Sequence, residues 1–342
     1  MNIVVYPHSP RAAKSFHKTL KYFKKLDDFW RDIYYNGRDG MSMVDILERA
    51  QINVNVDELD RNLAIINARI DEFCEQQCEA FPRLYFLEKK SILDIFSIVD
   101  IELIYSKYHQ VLLPFSTQFI NHGIERDRTV GITSFYEKVY IPQSRMISSK
   151  GDLVEWLKGL FYGVCEKLMH DIQVFHDGKE TISTDLRNPR CCDQSRIFYV
   201  NCIFWNDLRN FTPSQPDRKL LMKLKMKLNS GLNSYLSLAS GFSKEDPYQR
   251  VCASNIVLSM INHRDILLAI SDAKDVDSCF IYECAIRVNW DAKDRKGSIC
   301  QSYLTMPYGN VYQGFGQRML IAPITHRHAI YMRSALQFYL FY

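Results

Sequence analysis

The sequence predicts a mainly α-helical protein, an elongated helical bundle or rod that ends in a small C-terminal α/β piece. Two long segments repeat apolar residues at spacings of three and four, which is the pattern of an amphipathic helix. Near the C-terminus the period shortens to two, which is typical of a half-buried strand. The chain has 342 residues, of which 47% are hydrophobic, and only 14 Gly and 11 Pro. It can therefore bury a large, ordered core.

Charge and cysteine content narrow the class of protein. The 43 Lys and Arg nearly balance the 39 Asp and Glu, which disfavours a protein that binds nucleic acid by neutralising phosphates. No apolar run approaches the roughly 20 residues that cross a bilayer, and the N-terminus lacks a signal-peptide core. Ten scattered cysteines then indicate reduced, mostly buried thiols. We expect a soluble, intracellular protein without membrane insertion or nucleic-acid binding.

The first strong helix is predicted over residues 57–79. Its apolar stripe consists of Leu59, Leu63, Ile66, Ile70 and Phe73. Asp57 is placed to cap the start, and Pro82 stops the helix because proline has no N–H to donate. The aromatic segment 81–87 that follows is predicted to be buried as an extended segment or turn between helices.

The second strong helix is predicted over residues 152–172 and starts at Gly151-Asp152. Its stripe consists of Val154, Leu157, Phe161, Val164, Leu168 and Ile172. Weaker helical stretches lie around residues 93–119, and a strand is predicted over 135–141, closed by Pro142. The first two-thirds of the chain is thus expected to be mainly helical.

A basic stretch at residues 218–227 interleaves Lys with Leu and Met at helical spacing. One interpretation is a helix that binds a membrane surface or calmodulin. The other, which we favour, is a solvated helix face whose lysine stems lie over their neighbours.

The C-terminal part is predicted to contain a strand over 280–290, a charged turn at 291–297 and a pairing segment at 298–306. We place a domain boundary near residue 300, with a helical region at 1–300 and the start of a further module at 301–342. Residues 318–327 are strand-like and lead into a short helix, an arrangement that precedes the phosphate loop in nucleotide-binding modules. The motif GxxxxGK[ST] occurs nowhere in the chain.

Three clusters of Cys or His residues are candidate chemical sites. Cys74 and Cys78 share a helix face but lack a second ligand pair, so we interpret them as packed small residues. Cys191-Cys192 adjoins arginines that would lower a thiol pKa, in what we expect to be a polar loop without a Cys-His motif. His326 and His328 flank Arg327, and exposed basic residues in a turn explain them better than phosphate contacts.

Taken in order, several motifs make the chain resemble the dynein heavy chain, over the C-terminal part of its linker and the first residues of its first AAA+ module. Residues 29–33 are similar to the family's WRDI element, and 81–87 to its FPRFYFL signature, followed by 92–95 in place of LLEIL. Residues 154–157 are similar to VExWL, 263–265 to HxRD, 287–290 to RYYW, 308–314 to YGYEYLG, and 318–327 to RLVITPLTDR. The motif positions that we expect to be structural are Trp30, Phe81, Pro82, Arg83, Tyr85, Phe86, Trp156, Trp205, Arg264, Trp290 and Gly309.

The departures from the family pattern concern the chemistry. Residues 134–137 replace a Ser-x-Glu-Gly-Glu turn, and Thr325-His326-Arg327 replaces TDR. The chain stops before the phosphate loop (Walker A), and the acidic metal-holding strand (Walker B) is not in it either. By resemblance, only Pro323, Ile324 and Thr325 would face nucleotide. We therefore expect no catalytic residue, no metal site and no cofactor for this chain alone, whereas the full-length family uses ATP and Mg²⁺.

The resemblance implies a mechanical role, because the family's linker bends and straightens across the AAA+ ring of a minus-end-directed microtubule motor. The implied partners are the remainder of the ring, the intermediate, light intermediate and light chains, and microtubules through the parent motor. The implied location is the cytoplasm and cytoskeleton, with the cilium or axoneme as a further option. The alternative is a stand-alone, non-motor protein that binds dynein subunits, or a truncated, decaying paralogue.

Overall fold

The structure is a computed structural model, and helices dominate it. It describes residues 16, 19–38, 40–42, 44–45, 48, 52–98, 101–114, 116–121, 128–135, 137–146, 148, 152–179, 191–209, 217–241, 247–272, 275–314 and 322–339. The helices are α1 (Leu20–Arg38), α2 (Ile52–Ala80), α3 (Lys89–Ser97), α4 (Ile101–Leu112), α5 (Leu153–His176), α6 (Asp193–Asp207), α7 (Arg218–Gly241), α8 (Pro247–Asp272), α9 (Asp275–Cys284) and α10 (Pro323–Tyr339). Short 3-10 helices lie at Pro82–Phe86 and Gln143–Arg145. The mainly α fold with small sheets is confirmed.

Two small sheets interrupt the helices. The first has the order β1 (Gln118–Asn121), β2 (Thr129–Thr133) and β3 (Lys138–Tyr140). The second consists of β4 (Arg287–Asp291), β5 (Lys296–Gln301) and β6 (Leu304–Tyr308). Antiparallel pairing places Asn289 opposite Ser298 and Ile299 opposite Met306. The hairpin predicted from the charged turn is therefore confirmed, with a second tight turn inside its returning segment.

The described residues divide into two units, which are considered separately. The first unit comprises those within 1–113, 121–129 and 146–161, and the second those within 114–120, 130–145 and 162–342. The predicted boundary near residue 300 stays a prediction, although β4 and β6 on either side of it belong to one sheet in the second unit.

In the first unit, α1 and α2 pack together and the ring of Phe73 lies at the centre of the interior. Its centroid is 5.0 Å from that of Phe16 and 5.2 Å from that of Phe96. Ile66, on the same helix as Phe73, and Ile95, next to Phe96 on α3, are also buried. Edge-on and tilted aromatic contacts of this kind add to the stabilisation from apolar burial.

In the second unit, one apolar cluster joins α6, α7, α8 and the second sheet. Its buried members include Phe198, Trp205, Leu221, Leu267 and Val288. The rings of Phe198 and Tyr308 stack with centroids 4.3 Å apart. Gly297 packs closely against this pair. A Cβ at this position would lie only 2.9 Å from the Phe198 ring. A smaller cluster around Ile197 and Ile256 completes the packing of α6 on α8.

The two strong helices are confirmed, with longer bounds. The predicted 152–172 helix is α5, and the Asp152 side chain accepts hydrogen bonds from the backbone N–H groups of Val154 and Glu155. The predicted 57–79 helix is α2, but it begins at Ile52, so Asp57 lies inside it and is no cap. Leu63 is 45% exposed, whereas Asn62 is buried, so the buried face is offset from the predicted stripe.

The expectation for residues 81–87 is wrong in part. Phe81 and Leu84 are buried, but Tyr85 and Phe86 are 59% and 79% exposed. The segment forms a 3-10 helix instead of an extended stretch, because Pro82 sets a helical φ at its first position. Three residues per turn direct Phe81 and Leu84 to the same side, and the next two side chains away from it.

The strand predicted over 280–290 is also wrong in its first half. Residues 275–284 form α9, and only Arg287–Asp291 is a strand. The alternating pattern was misleading because Ile281, Tyr282 and Ala285 also fit one helical face, and all three pack against the second unit's core. Similarly, Pro323 starts helix α10, so the part of the predicted 318–327 strand at 323–327 is helical, and residues 318–321 lie outside the described residues.

Candidate functional site

The residues that would face nucleotide lie at the start of α10. The Thr325 hydroxyl is 2.7 Å from the carbonyl oxygen of Ala322, to which it donates, and it is 2.8 Å from the Ala322 backbone nitrogen. Ile324 is 64% exposed, while the side chain of Pro323 lies outside the described residues. Thr325 thus has a local capping role at this helix end. The assignment of these three residues to nucleotide stays a prediction.

His326, beside them, has a side chain outside the described residues, whereas Arg327 and His328 are exposed on α10. The exposure of Arg327 and His328 is consistent with a solvated basic surface.

The first motif positions lie in the first unit. Phe81 meets the Phe161 ring edge-on at 6.2 Å, and the Arg83 guanidinium lies 5.3 Å from the same ring. Arg83 also donates to the carbonyl oxygen of Val111. Trp30, in contrast, is 63% exposed on α1. Phe81 and Arg83 therefore pack, while Trp30 presents its ring to solvent.

Trp156 is the centre of a buried contact in the first unit. Only 1% of its surface is exposed, and its Nε1 donates to the Thr129 hydroxyl at 3.0 Å. Thr129 in turn donates to Asn121 Oδ1 at 3.4 Å. A tryptophan N–H in a dry interior needs such a partner.

The remaining motif positions lie in the second unit. Trp205 is buried against Phe204 and Tyr282. Trp290 donates from Nε1 to Gln173 Oε1 at 3.1 Å. Arg264 pairs with the adjacent Asp265, and a Cβ at Gly309 would make only an ordinary van der Waals contact, with Val311 at 3.7 Å. The motifs do not converge on one reactive centre among the described residues.

Next to Arg264 lies a buried histidine, His263, which is the first residue of the HxRD-like motif. His263 is stacked on Phe204 with centroids 4.0 Å apart, and its Nε2 lies 2.8 Å from Asn201 Oδ1. Burial lowers the pKa of His263 to about 3. The imidazole is therefore neutral at pH 7, and its Nε2–H donates to the amide oxygen.

The most polar interior lies at the start of α6, and sequence reasoning missed it. We call it the buried polar cluster, and its members are Glu137, Lys167, Asp171, Asp193, Gln194 and Tyr312. All belong to the second unit, and all but the partly buried Lys167 are buried. They come from four separate stretches of the chain, so no local spacing indicates them.

Two carboxylates of this cluster hold the first residues of α6. Asp171 is fully buried, and it accepts from Lys167 Nζ at 2.6 Å and from the backbone N–H of Cys192 at 2.8 Å. Glu137 Oε1 accepts from the Asp193 backbone N–H at 2.8 Å. Both satisfy backbone donors at a helix N-terminus, where negative charge is also favoured.

Glu137 is poised to change its charge near neutral pH. Its other oxygen, Oε2, accepts from the Tyr312 hydroxyl at 2.9 Å. Burial, followed by the nearby charge of Asp193, raises the pKa of Glu137 to about 7, although the hydrogen bonds from Asp193 and Tyr312 oppose that shift.

The two adjacent cysteines beside the cluster directly precede α6. Cys191 and Cys192 are buried, and α6 begins directly after them, so the expectation of a polar loop is wrong. Burial raises the pKa of Cys192 well above its usual value, which disfavours the reactive thiolate. Cys74 and Cys78 are buried on α2 as expected, and burial raises the pKa of Cys74 to about 11.

Neither a metal centre nor a membrane span is found in the part of the chain that the structure describes. No group of three or more His, Cys, Asp and Glu side chains there is arranged to hold a metal ion. None of the helices there combines the length and the apolarity required to cross a bilayer.

Comparison with known proteins gives one consistent answer. Residues 8–173 match the family described as "Dynein heavy chain, N-terminal region 2". The chain is 23% identical to dynein heavy chain-like protein 1 of Plasmodium falciparum, with 92% of the chain covered. It is also 23% identical to the flagellar outer-arm dynein alpha chain of Chlamydomonas reinhardtii, with 94% covered, and 22% identical to human dynein axonemal heavy chain 17, with 86% covered.

Just under half of the chain thus matches this family, and dynein heavy chains are similar to it over most of its length. It spans about 7% of the length of each of these three dynein relatives. The family match contains Trp30, the 81–87 signature and Trp156, and the relatives extend the similarity over most of the second unit. The resemblance stated from the motifs is therefore confirmed.

Proposed function

We propose that this region acts as part of the linker of a dynein heavy chain, the mechanical element of a minus-end-directed microtubule motor. The observation that carries this proposal is the similarity to dynein heavy chains over 92–94% of the chain. The proposed partners are the remainder of the AAA+ ring, the associated intermediate, light intermediate and light chains, and microtubules through the whole motor. The flagellar and axonemal relatives favour the cytoskeleton of a cilium or flagellum as its location.

Packing in the second unit suits a load-bearing element. Helices α7 and α8 have 24 and 26 residues, which corresponds to rods of roughly 36–39 Å at 1.5 Å per residue. They are held together through buried residues such as Leu224 and Ile266. Close-packed interiors resist deformation, because every change of volume costs contacts.

The proposal assigns ATP hydrolysis to other parts of the motor. The sequence has no phosphate-loop motif, and cradling of phosphates by such a loop supplies much of nucleotide binding. We propose that Pro323, Ile324 and Thr325 form part of the wall of the adenine pocket in the whole motor. Within that motor, Ile324→Ala would then raise the KM for ATP more than it lowers kcat, whereas Leu336→Ala, also at an exposed apolar residue of α10, would leave both unchanged.

A chimaeric motor tests the mechanical role. Residues 1–342 replace the matching region of the Chlamydomonas outer-arm alpha chain, and microtubule gliding and ATP hydrolysis are measured together. We expect both to be retained, whereas deletion of the region leaves hydrolysis but abolishes gliding. A chimaera that hydrolyses ATP yet glides no better than the deletion contradicts the linker proposal.

The alternative function, a stand-alone protein that binds dynein subunits, makes a different prediction about the natural product. An antibody against this region detects a product far larger than 40.1 kDa if the region is part of a motor. A stable product close to 40.1 kDa that co-purifies with dynein subunits supports the interaction protein.

A further inference from the structure

Residues 309–314, which we call the latch segment, follow β6 and are attached to the second unit in an unusual way. Among the described residues, the latch segment makes no backbone–backbone hydrogen bond to another part of the second unit. Asn310 and Gly314 both have positive φ, so the segment turns twice rather than extending the sheet. Tyr312 is nonetheless only 5% exposed. Side chains, rather than a strand ladder, hold the segment down.

Gln194 is the first of these attachments. Its Nε2 donates to the Tyr308 hydroxyl and to the Val311 carbonyl oxygen, both at 2.8 Å. Its Oε1 accepts from the backbone N–H of Gln313 at 2.7 Å. One buried amide on α6 thus substitutes for the backbone partners that the latch segment would have in a sheet.

Glu137 is the second attachment, through its hydrogen bond to Tyr312. The two residues are 175 positions apart in the chain, so nothing local enforces this contact. Undocking of Tyr312 would admit water to Glu137, because the phenol is one of the groups that cover the carboxyl. Docking and the burial of this carboxyl are therefore coupled.

We propose that the latch segment is a proton-dependent latch, docked on the second unit when Glu137 is protonated and released as Glu137 loses its proton. It goes beyond the linker role and does not depend on it.

The charges around Glu137 determine the direction of the effect. The titratable groups that face it from the packed elements are Asp171 on α5, Cys192 and Asp193 at the start of α6, Tyr248 on α8 and Tyr312 in the latch segment. Two of these are carboxylates, which disfavour a third negative charge nearby. Lys167 is paired with Asp171, and the Arg196 side chain lies 5.9 Å over the Phe175 ring. Tyr248 and Tyr312 stay neutral, since burial raises the pKa of each far above the working range.

The sign follows from linkage. In the docked state burial holds the pKa of Glu137 at about 7, against 4.5 for an exposed glutamate. Water reaches the carboxyl in the released state, so the docked state binds a proton more tightly, and release becomes easier as pH rises between the two pKa values, up to about 7. Above that range both states are deprotonated and the dependence ends.

Hydrogen exchange at the Gln313 amide tests this on the whole chain, because that N–H is bonded to Gln194 only while the latch segment is docked. Protection factors, corrected for the intrinsic exchange rate, are measured from pH 5.5 to 8. We expect protection of Gln313 to fall by up to about tenfold per pH unit below pH 7 and then to level off. The Ile256 amide in α8 serves as the reference for opening of the whole unit.

Three variants separate the latch from general effects. Glu137→Gln is expected to keep Gln313 protected with no pH dependence, and Tyr312→Phe to lower protection at every pH. Glu166→Gln, a carboxyl in the same unit that pairs with Arg145 at 2.9 Å, is expected to behave as the wild type. The proposal is overturned if wild-type protection does not change with pH, if Glu137→Gln keeps the dependence, or if Gln313 and Ile256 lose protection in parallel.

Discussion

The two units bury different kinds of side chain. In the first unit the buried polar residues are neutral, as with Asn62, Gln77 and Thr129. Every buried Asp, Glu, Arg or His among the described residues belongs to the second unit, and these are Glu137, Asp171, Asp193, Arg196 and His263. Buried charge is costly unless paired, and it makes stability depend on pH. The comparison therefore predicts a first unit whose stability depends on packing and a second whose stability also depends on protons.

Removal of Trp156 is the strongest test of the first unit. Trp156→Ala leaves a cavity and deprives the Thr129 hydroxyl of its donor, so we expect a loss of about 3–5 kcal/mol in the free energy of unfolding. The measurement is urea denaturation followed by circular dichroism, at pH 5.5 and 7.5. The loss should be the same at both pH values.

Trp156→Phe is the matched control, since it keeps a large ring and removes only the N–H. We expect it to lose about 1–3 kcal/mol. A Trp156→Ala loss that differs strongly between the two pH values would break the proposed division between the units.

The second unit has a backbone test of comparable kind. Gly131 lies so close to β3 that a Cβ would be 2.3 Å from the Val139 carbonyl oxygen, and neither backbone can move without loss of pairing. We expect Gly131→Ala to lower the free energy of unfolding by about 1–3 kcal/mol.

Gly309→Ala is the matched control for Gly131→Ala, because its nearest neighbour would be 3.7 Å away and it has no positive φ. Thermal unfolding of both variants decides the point. Equal shifts of Tm would show that the close approach at Gly131 is unimportant.

Protonation of His263 tests whether the stability of the second unit depends on pH. The folded-state pKa is lowered from 6.5 to about 3, so the native state takes up this proton less readily than the unfolded state. The contribution of His263 to the free energy of unfolding is therefore constant above pH 6.5. It decreases by about 1.4 kcal/mol per pH unit as pH falls toward 3. His263→Gln keeps an amide donor for Asn201 and removes the titration.

The measurement for His263 is urea denaturation of wild type and variant between pH 4 and 7.5. Their difference in unfolding free energy should change with pH below 6.5 and stay constant above it. A constant difference throughout would mean that His263 does not resist protonation.

The smallest effect is expected at the surface of the first unit. Lys25 and Glu58 pair at 2.9 Å with more than half of each side chain exposed, and exposed pairs add little because water and salt screen them. Lys25→Ala should leave the denaturation midpoint almost unchanged. A shift as large as that of Trp156→Phe would show that charge matters in this unit after all.

Local patterns predicted the long helices well, because the stripe from Val154 to Ile172 and the Asp152 cap lie within one element. They failed at residues 280–284, where a short apolar run fits both periods and packing against Trp205 selected the helix. The family motifs predicted which aromatics matter, but not that Tyr85 and Phe86 are exposed. The buried polar cluster could not be predicted, since Glu137, Asp171 and Tyr312 meet only through the tertiary fold.

The buried thiols give both units an internal reporter. Cys74 and Cys78 lie in the first unit, and Cys202 and Cys252 in the second, and all four are buried. Burial raises the pKa of Cys202 to about 12, so its thiolate is scarce while the fold is closed. An alkylating reagent therefore modifies each thiol at the rate at which its own surroundings open. Mass spectrometry of the labelled peptides would measure the rate of local opening in each unit separately, without engineered probes.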